Sequence, residues 1–296
     1  MKLNIQKNTT PKSPEGDLFG QQNIPPRKTL KAPFRGLGVL LLALILFAFT
    51  AEEKRPVHLF MAGDSTMANK DLYRTITDSV TGISSPELFP ERGWGMVLPD
   101  FFTDEVVIDN YAKNGRSTRS FIAEGLWDKL ISNVQKGDYV IIQFGHNDAS
   151  IEKKERYATP DEYRKNLQRF VDEAKAKGGI PILATPVVRR KFDESGQISD
   201  THGVYPGIVR EVAQEKQVTL VDMTELTREW LNEVGDEASK AYFMHIPAGA
   251  NRNFPNGLTD NTHYVEAGAR HAAALFVAEI EKQKIDGLTI FLRKKH

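Results

Sequence analysis

Four short polar motifs hold the residues of this chain that can do chemistry. Gly63-Asp64-Ser65-Thr66 follows an apolar run, Val57-His58-Leu59-Phe60-Met61-Ala62. Asn114-Gly115 and Gly145-His146-Asn147-Asp148 each follow another apolar run, and Asp260-Asn261-Thr262-His263 opens the last helical stretch. A serine hydroxyl is a poor nucleophile at neutral pH, so it needs an adjacent base, and the base needs an orienting group. Ser65 is the candidate nucleophile. His263 can take its proton and later return it, and Asp260, three residues earlier, can hold the other ring nitrogen. Such a set attacks acyl carbons, and the tetrahedral intermediate then needs donors aimed at its oxyanion. The backbone N–H groups of Ser65 and Gly115 and the side-chain amide of Asn147 can supply them, glycine at 115 permitting close approach and unusual dihedrals. Taken singly, each residue has an ordinary reading as a turn former, a surface histidine or a loop amide. The joint occurrence of the four motifs is what points to an activated serine.

These motifs converge only if the runs before them are neighbouring parallel strands, because open α/β sheets place their sites beyond the carboxyl ends of the strands. Candidate strands are 57–62, 106–112, 138–144, 180–185 and 218–222, near-continuous apolar runs of the kind expected when both faces of a parallel sheet are covered. Helical segments separate them. The clearest begins at Thr159-Pro160-Asp161-Glu162, a capping box with proline at the first helical position, and Tyr163, Leu167, Phe170, Val171 and Ala174 form its apolar stripe before Gly178-Gly179. Others are expected from about Ser117 through Phe121, Leu126 and Leu130, and over about 206–216, 223–241 and 265–283. The expected fold class is α/β, a three-layer α/β/α sandwich with a five-stranded parallel, flavodoxin-like sheet of order 2-1-3-4-5. Segments 67–95, 189–204 and 244–259 read as long connections and therefore as candidate substrate walls.

Length and charge narrow the rest. Residues 1–35 carry seven Lys/Arg against two acidic residues, and Gly36 to Phe49 form an unbroken apolar block. At about 1.5 Å rise per residue that block spans roughly 21 Å, short of the roughly 30 Å hydrocarbon core of a bilayer. With small residues around Ala48-Phe49-Thr50-Ala51, residues 1–51 read as a basic leader and signal peptide, or a short signal anchor, ahead of one domain over 52–296. The expected location is secreted or periplasmic, with membrane contact only through an uncleaved leader. Residues 52–296 hold 32 basic and 37 acidic residues, a net of −5, which argues against a nucleic-acid partner. The chain has no cysteine, so disulfides and thiolate metal sites are excluded.

Gly63-Asp64-Ser65, Gly115, Gly145-His146-Asn147-Asp148 and Asp260-Asn261-Thr262-His263 resemble the four blocks of the SGNH (GDSL-like) hydrolase superfamily. Gly63-Asp64-Ser65-Thr66-Met67, Gly93-Trp94-Gly95, Asn114-Gly115-Arg116-Ser117 and Thr262-His263-Tyr264 resemble its rhamnogalacturonan acetylesterase branch, which shares Thr66 where the wider superfamily often has leucine. The resemblance covers roughly 57–283. It implies that Ser65, Asp260 and His263 form the triad and that Ser65, Gly115 and Asn147 form the oxyanion hole, with no metal and no organic cofactor. The implied partner is an acetylated polysaccharide or oligosaccharide. Trp94 is a candidate for stacking on a sugar face or for packing, and Arg116 and Arg119 for holding a uronate carboxylate or starting a solvated helix. Arg189, Arg190 and Arg252 lie on the long loops, and His146 is expected to brace the oxyanion loop. Competing readings are deacetylation of xylan or another glycan, acyl transfer to a sugar hydroxyl, a metal-dependent phosphoesterase and a non-catalytic sugar-binding module.

Overall fold

The structure, a computed structural model, describes residues 55–285 and 287–294; the expected leader over 1–51 lies outside them. In chain order the elements begin with β1 (Val57–Gly63), β2 (Tyr73–Thr77), β3 (Ser84–Leu88), β4 (Glu91–Arg92), α1 (Trp94–Val97) and β5 (Val106–Asn110). Then come α2 (Thr118–Ala123), α3 (Leu126–Asn133), β6 (Tyr139–Gln143), α4 (Pro160–Ala176), β7 (Ile180–Ala184), α5 (Tyr205–Lys216) and β8 (Thr219–Val221). The last are α6 (Met223–Val234), α7 (Asp236–Ser239), β9 (Phe243–Ile246), β10 (Leu258–Val265) and α8 (Glu266–Gln283).

The five expected strands pair in the order β5-β1-β6-β7-β8, all parallel, which is the 2-1-3-4-5 order. Residues alternate across the sheet. Along β1, Leu59 and Met61 therefore join the layer containing Trp94, Leu231 and Phe276, while Phe60 and Ala62 join Phe121, Trp127, Tyr163 and Phe170 on the opposite face. Both faces are thus apolar and covered, which accounts for runs without polar alternation. A second, antiparallel sheet of order β4-β10-β9 and a β2–β3 hairpin lie in segments that read as connections in the sequence, except that most of β10 read as the opening of the last helical stretch.

The helices differ from expectation at their breaks. Thr159 caps α4 by accepting from the Glu162 N–H at 3.3 Å, but Glu162 does not reach back to complete the box, because its carboxylate is taken by Arg119. The helix expected from Ser117 through Leu130 is two helices, interrupted at Gly125, whose φ is 68°. Likewise 223–241 stops at Gly235, with φ 81°, and resumes as α7 and a 3₁₀ turn. In both places a glycine conformation outside the helical region outweighs an apolar stripe that continues across it.

Gly93-Trp94-Gly95 backs the turn that follows β1. The Trp94 N–H donates to the Thr66 carbonyl at 2.9 Å, and the fully buried indole donates to Gln143 Oε1 at 2.9 Å. A Cβ on Gly93 would lie 2.2 Å from the Ala68 carbonyl oxygen and 2.5 Å from the Met67 carbonyl carbon. Backbone atoms cannot yield as a flexible side chain can, so the glycine is needed for space. Gly93→Ala is expected to cost about 1–3 kcal/mol, read as a lower urea midpoint, and to move the Ser65 turn. An unchanged midpoint would contradict this packing.

Candidate active site

Three of the four motifs sit where adjacent strands end. Ser65 lies two residues past β1, Asn114-Gly115 follows β5 and Gly145-His146-Asn147 follows β6; β1 lies between the other two. Asp64 shapes the first turn: its Oδ1 accepts from the Thr66 N–H at 2.9 Å and the Thr66 hydroxyl at 2.8 Å, and its carbonyl accepts from Ala68 at 3.0 Å. The fourth motif arrives differently. Asp260 to His263 belong to β10, not to the start of the final helix, which begins at Glu266. Asp260 pairs with Met244 and Tyr264 with Phe243, so residues 261–263 bulge from the ladder. A bulge re-aims side chains, and here it turns His263 toward Ser65.

The geometry joins the three residues. His263 Nε2 is 2.8 Å from Ser65 Oγ, and His263 Nδ1 is 2.7 Å from Asp260 Oδ2. The other carboxylate oxygen accepts from the Thr262 N–H at 2.7 Å and the His263 N–H at 3.1 Å. Burial alone would raise the Asp260 pKa, but the His263 ring and these N–H groups hold it at about 2. The carboxylate is therefore ionised and can only accept. Nδ1 must donate to it, which leaves Nε2 of the neutral ring as the acceptor for the serine proton. For His263, burial favours the neutral form, yet the Asp260 carboxylate outweighs it and raises the pKa above the ordinary value.

Donors for an oxyanion lie beside the serine. Among the described residues, neither the Ser65 nor the Gly115 backbone N–H has a protein acceptor. Gly115 sits in the turn closed by Arg116 N–H to the Lys113 carbonyl at 3.3 Å, with a φ of 75° that favours glycine. Asn147 Nδ2 donates to the Arg116 carbonyl at 2.9 Å, which fixes the amide and leaves its second N–H free. Lys70, its side chain 2% exposed, ties this wall together by reaching Glu91 at 2.6 Å and Asn114 Oδ1 at 2.5 Å.

Behind Asn147, His146 is buried with Nδ1 3.4 Å from Asp64 Oδ2, and its ring meets His202 edge-on at 4.4 Å. Asp64 is held at about 2: burial opposes ionisation, but His146 and Thr66 prevail. Burial pushes His202 down to about 2 and Asp148 up to about 7, the latter despite two hydrogen bonds from Thr118. His146, expected to brace the oxyanion loop, thus lies between Asp64 and His202 at the edge of the cleft. His202 carries no motif and could not be found from sequence.

The structure brings Ser65, Gly115, Asn147, Asp260 and His263 to one cleft of about 490 Å³. It does not bring the expected sugar contacts there. Trp94 is fully buried beneath the sheet end and presents no face to a ligand. Arg116 turns away to Glu124 at 2.8 Å, and Arg119 pairs with Glu162. Of the loop arginines, Arg189 lines the cleft, Arg190 is buried against Asp236, Ser239 and Asn261, and Arg252 faces Ser85 and Glu87. Lys153 and Arg156 line the cleft unanticipated. They follow the third motif in a charged stretch, Glu152 to Arg156, that reads as a solvated face.

Comparison with known proteins agrees with this geometry. The GDSL-like Lipase/Acylhydrolase family matches residues 62–271. Among curated proteins, the chain is 36% identical over 229 residues to rhamnogalacturonan acetylesterase RhgT of Bacillus subtilis (strain 168), covering 77% of this chain and 91% of that one. It is 30% identical over 226 residues to the probable rhamnogalacturonan acetylesterase YesY of the same organism, covering 76% and 93%. The crystal structure of Bacillus subtilis YxiM superposes with a TM-score of 0.63 at 26% identity over 78% of this chain and 58% of that longer one. That of Axe2, an acetylxylan esterase from Geobacillus stearothermophilus, gives 0.53 at 21% identity over 76% and 94%, a likeness of fold.

The paired ring has a pH signature. Protonated His263 has no lone pair for the serine proton, so kcat/KM for a neutral ester is expected to fall as pH drops through a value above 6.5. Asp260→Asn removes the group that raises this pKa. The acid limb should move to lower pH while kcat falls by about 10⁴. An unmoved limb would assign the ionisation to another residue.

Proposed function

We propose that the chain, which belongs to the GDSL-like lipase/acylhydrolase family and is a hydrolase of carboxylic esters, removes O-acetyl groups from a carbohydrate, specifically the pectic polysaccharide rhamnogalacturonan. The observation that carries the reaction is the unbroken Ser65–His263–Asp260 line at the cleft. Ser65 Oγ attacks the acetyl carbonyl carbon as His263 Nε2 takes its proton, and the carbonyl π pair moves onto oxygen facing Ser65 N–H, Gly115 N–H and Asn147 Nδ2. The intermediate collapses by breaking the bond to the sugar oxygen, which leaves with the proton from His263. Water then gives a proton to the same nitrogen and attacks the acetyl-serine. Collapse returns the proton to Ser65 and releases acetate.

The cleft walls support a short acyl group. Serine, threonine, asparagine, glycine, histidine and charged residues line it, with no aliphatic or aromatic hydrocarbon side chain among the described lining residues against which a long acyl chain could be buried. The sugar reading is supported by the two relatives named as a rhamnogalacturonan acetylesterase and a probable one. Export is supported by the basic stretch 1–35 and the apolar block 36–49. N-terminal sequencing of protein from the native host is expected to begin near Glu52, with the enzyme secreted or periplasmic; an intact leader on a cytoplasmic protein would refute export.

Acetate release tests the activity across acetylated rhamnogalacturonan, acetylxylan and a short synthetic ester. Rhamnogalacturonan is expected to be turned over with the highest kcat/KM, and Ser65→Ala to lose on the order of 10⁶ in kcat. Faster release from acetylxylan would overturn the substrate, and near-normal release by a folded Ser65→Ala would overturn the reaction.

A further inference from the structure

The charges around the cleft do not balance. Four basic side chains named above have carboxylate partners within 4.0 Å: Arg116 has Glu124, Arg119 has Glu162, Arg190 has Asp236 and Lys70 has Glu91. Lys153, Arg156 and Arg189 line the cleft and have no such partner among the described residues. The two carboxylates in the cleft wall cannot serve them, because Asp260 is engaged by His263 and Glu91 by Lys70.

The donors of these cations are also largely open. Arg156 makes one long contact, Nη1 to Asn147 Oδ1 at 3.5 Å. Arg189 donates to Thr262 Oγ1 and to the His146 carbonyl, both at 3.1 Å, which fixes the guanidinium while leaving its Nε–H uncommitted. The Lys153 ammonium has no hydrogen-bond acceptor among the described residues and is exposed. Arg189 feels the carboxylates of Asp64, Asp260 and Glu152 only from beyond ion-pair distance, so an anionic ligand entering the cleft would be attracted by the three cations that line it. Position matters too. The Arg156 guanidinium packs against Gly115, 3.0 Å from where a Cβ would stand, so the anion would lie beside the oxyanion site.

We propose that Lys153, Arg156 and Arg189 form a carboxylate-binding subsite that seats the carboxylate of an acetylated uronate residue while its ester faces Ser65. This rests on the esterase reading of the same cleft. Planar guanidinium groups suit a carboxylate, and residues 52–296 carry a net of −5, which would repel a polyuronate unless the cleft were locally positive. The subsite therefore sets substrate choice, with Arg189 also tying the His263 loop to the His146 loop.

The test compares acetylated galacturonate oligosaccharides carrying free carboxylates with the same compounds methyl-esterified, which removes the charge and keeps the sugar ring. The wild type is expected to favour the free acid by about tenfold or more in kcat/KM, mainly through KM, with the preference shrinking as salt rises. In Lys153→Glu the preference should reverse, and in Lys153→Gln/Arg156→Gln it should fall toward unity. Free galacturonate should competitively inhibit wild-type hydrolysis of a small neutral ester and lose potency in Lys153→Glu, an exposed change that leaves folding intact. Turnover of both oligosaccharides with a preference that no variant alters overturns the subsite while the esterase stands. Equal losses on acid and methyl ester would instead make Arg156 a support of Asn147. Turnover of the neutral ester with neither oligosaccharide accepted overturns the pectic reading and the subsite together.

Discussion

The imidazole of His263 must touch two partners at once, Asp260 at 2.7 Å and Ser65 at 2.8 Å, although the serine lies 198 residues away in the chain. Hydrogen bonds weaken steeply with distance and angle, so the fold has to register two remote segments closely. The serine side is fixed by a central strand. β1 is paired on both edges, and its exit turn is locked by Asp64 and backed by Gly93 and Trp94. The histidine side is fixed by a bulge in an antiparallel strand. Arg190 grips that bulge through the Asn261 carbonyl at 2.7 Å and its side-chain oxygen at 3.0 Å, and Arg189 holds Thr262. Burying Arg190 is costly unless it is paired, and Asp236, Ser239 and Asn261 supply the partners.

The same economy of charge runs through the site. The buried or half-buried carboxylates near Ser65 have defined neighbours: Asp64 accepts from Thr66 and lies 3.4 Å from His146 Nδ1, Asp260 has His263 and two backbone N–H groups, and Glu91 has Lys70. Asp148 is the exception in charge: without a cation, burial lifts its pKa to about 7. It still fastens the oxyanion loop to the first residue of α2 through Thr118. Among the described residues, Lys153, Arg156 and Arg189 line the cleft without a carboxylate within 4.0 Å, and there a ligand can reach them.

Much of this was legible in the residues. The parallel strands could be read because burial on both faces leaves no polar alternation, and three polar motifs stand directly after such runs. Ser65, Gly115, Asn147, Asp260 and His263 were legible because their chemistry requires a set. What was not legible depends on side-chain direction. Trp94 could stack or pack, and only the three-dimensional arrangement decides that its indole points into the sheet end toward Gln143. Arg116 and Arg119 adjoin the oxyanion glycine in sequence but turn outward to Glu124 and Glu162, whereas Lys153 and Arg156, within a run of charges, line the cleft. The 244–259 segment reads as a loop because it holds only the last three residues of β9 and the first two residues of β10 around a Gly- and Asn-rich connection.

The account stands on Ser65 being the one activated hydroxyl at the cleft, and covalent capture tests that most directly. A fluorophosphonate reacts with a serine made nucleophilic by a neighbouring base and leaves a tetrahedral adduct in the oxyanion hole. Incubation should inactivate the esterase with one adduct per chain, mapped by peptide mass spectrometry to Ser65, the adduct growing in step with the loss of activity. Inactivation with the adduct on another residue, or full labelling of Ser65 with activity retained, would contradict it.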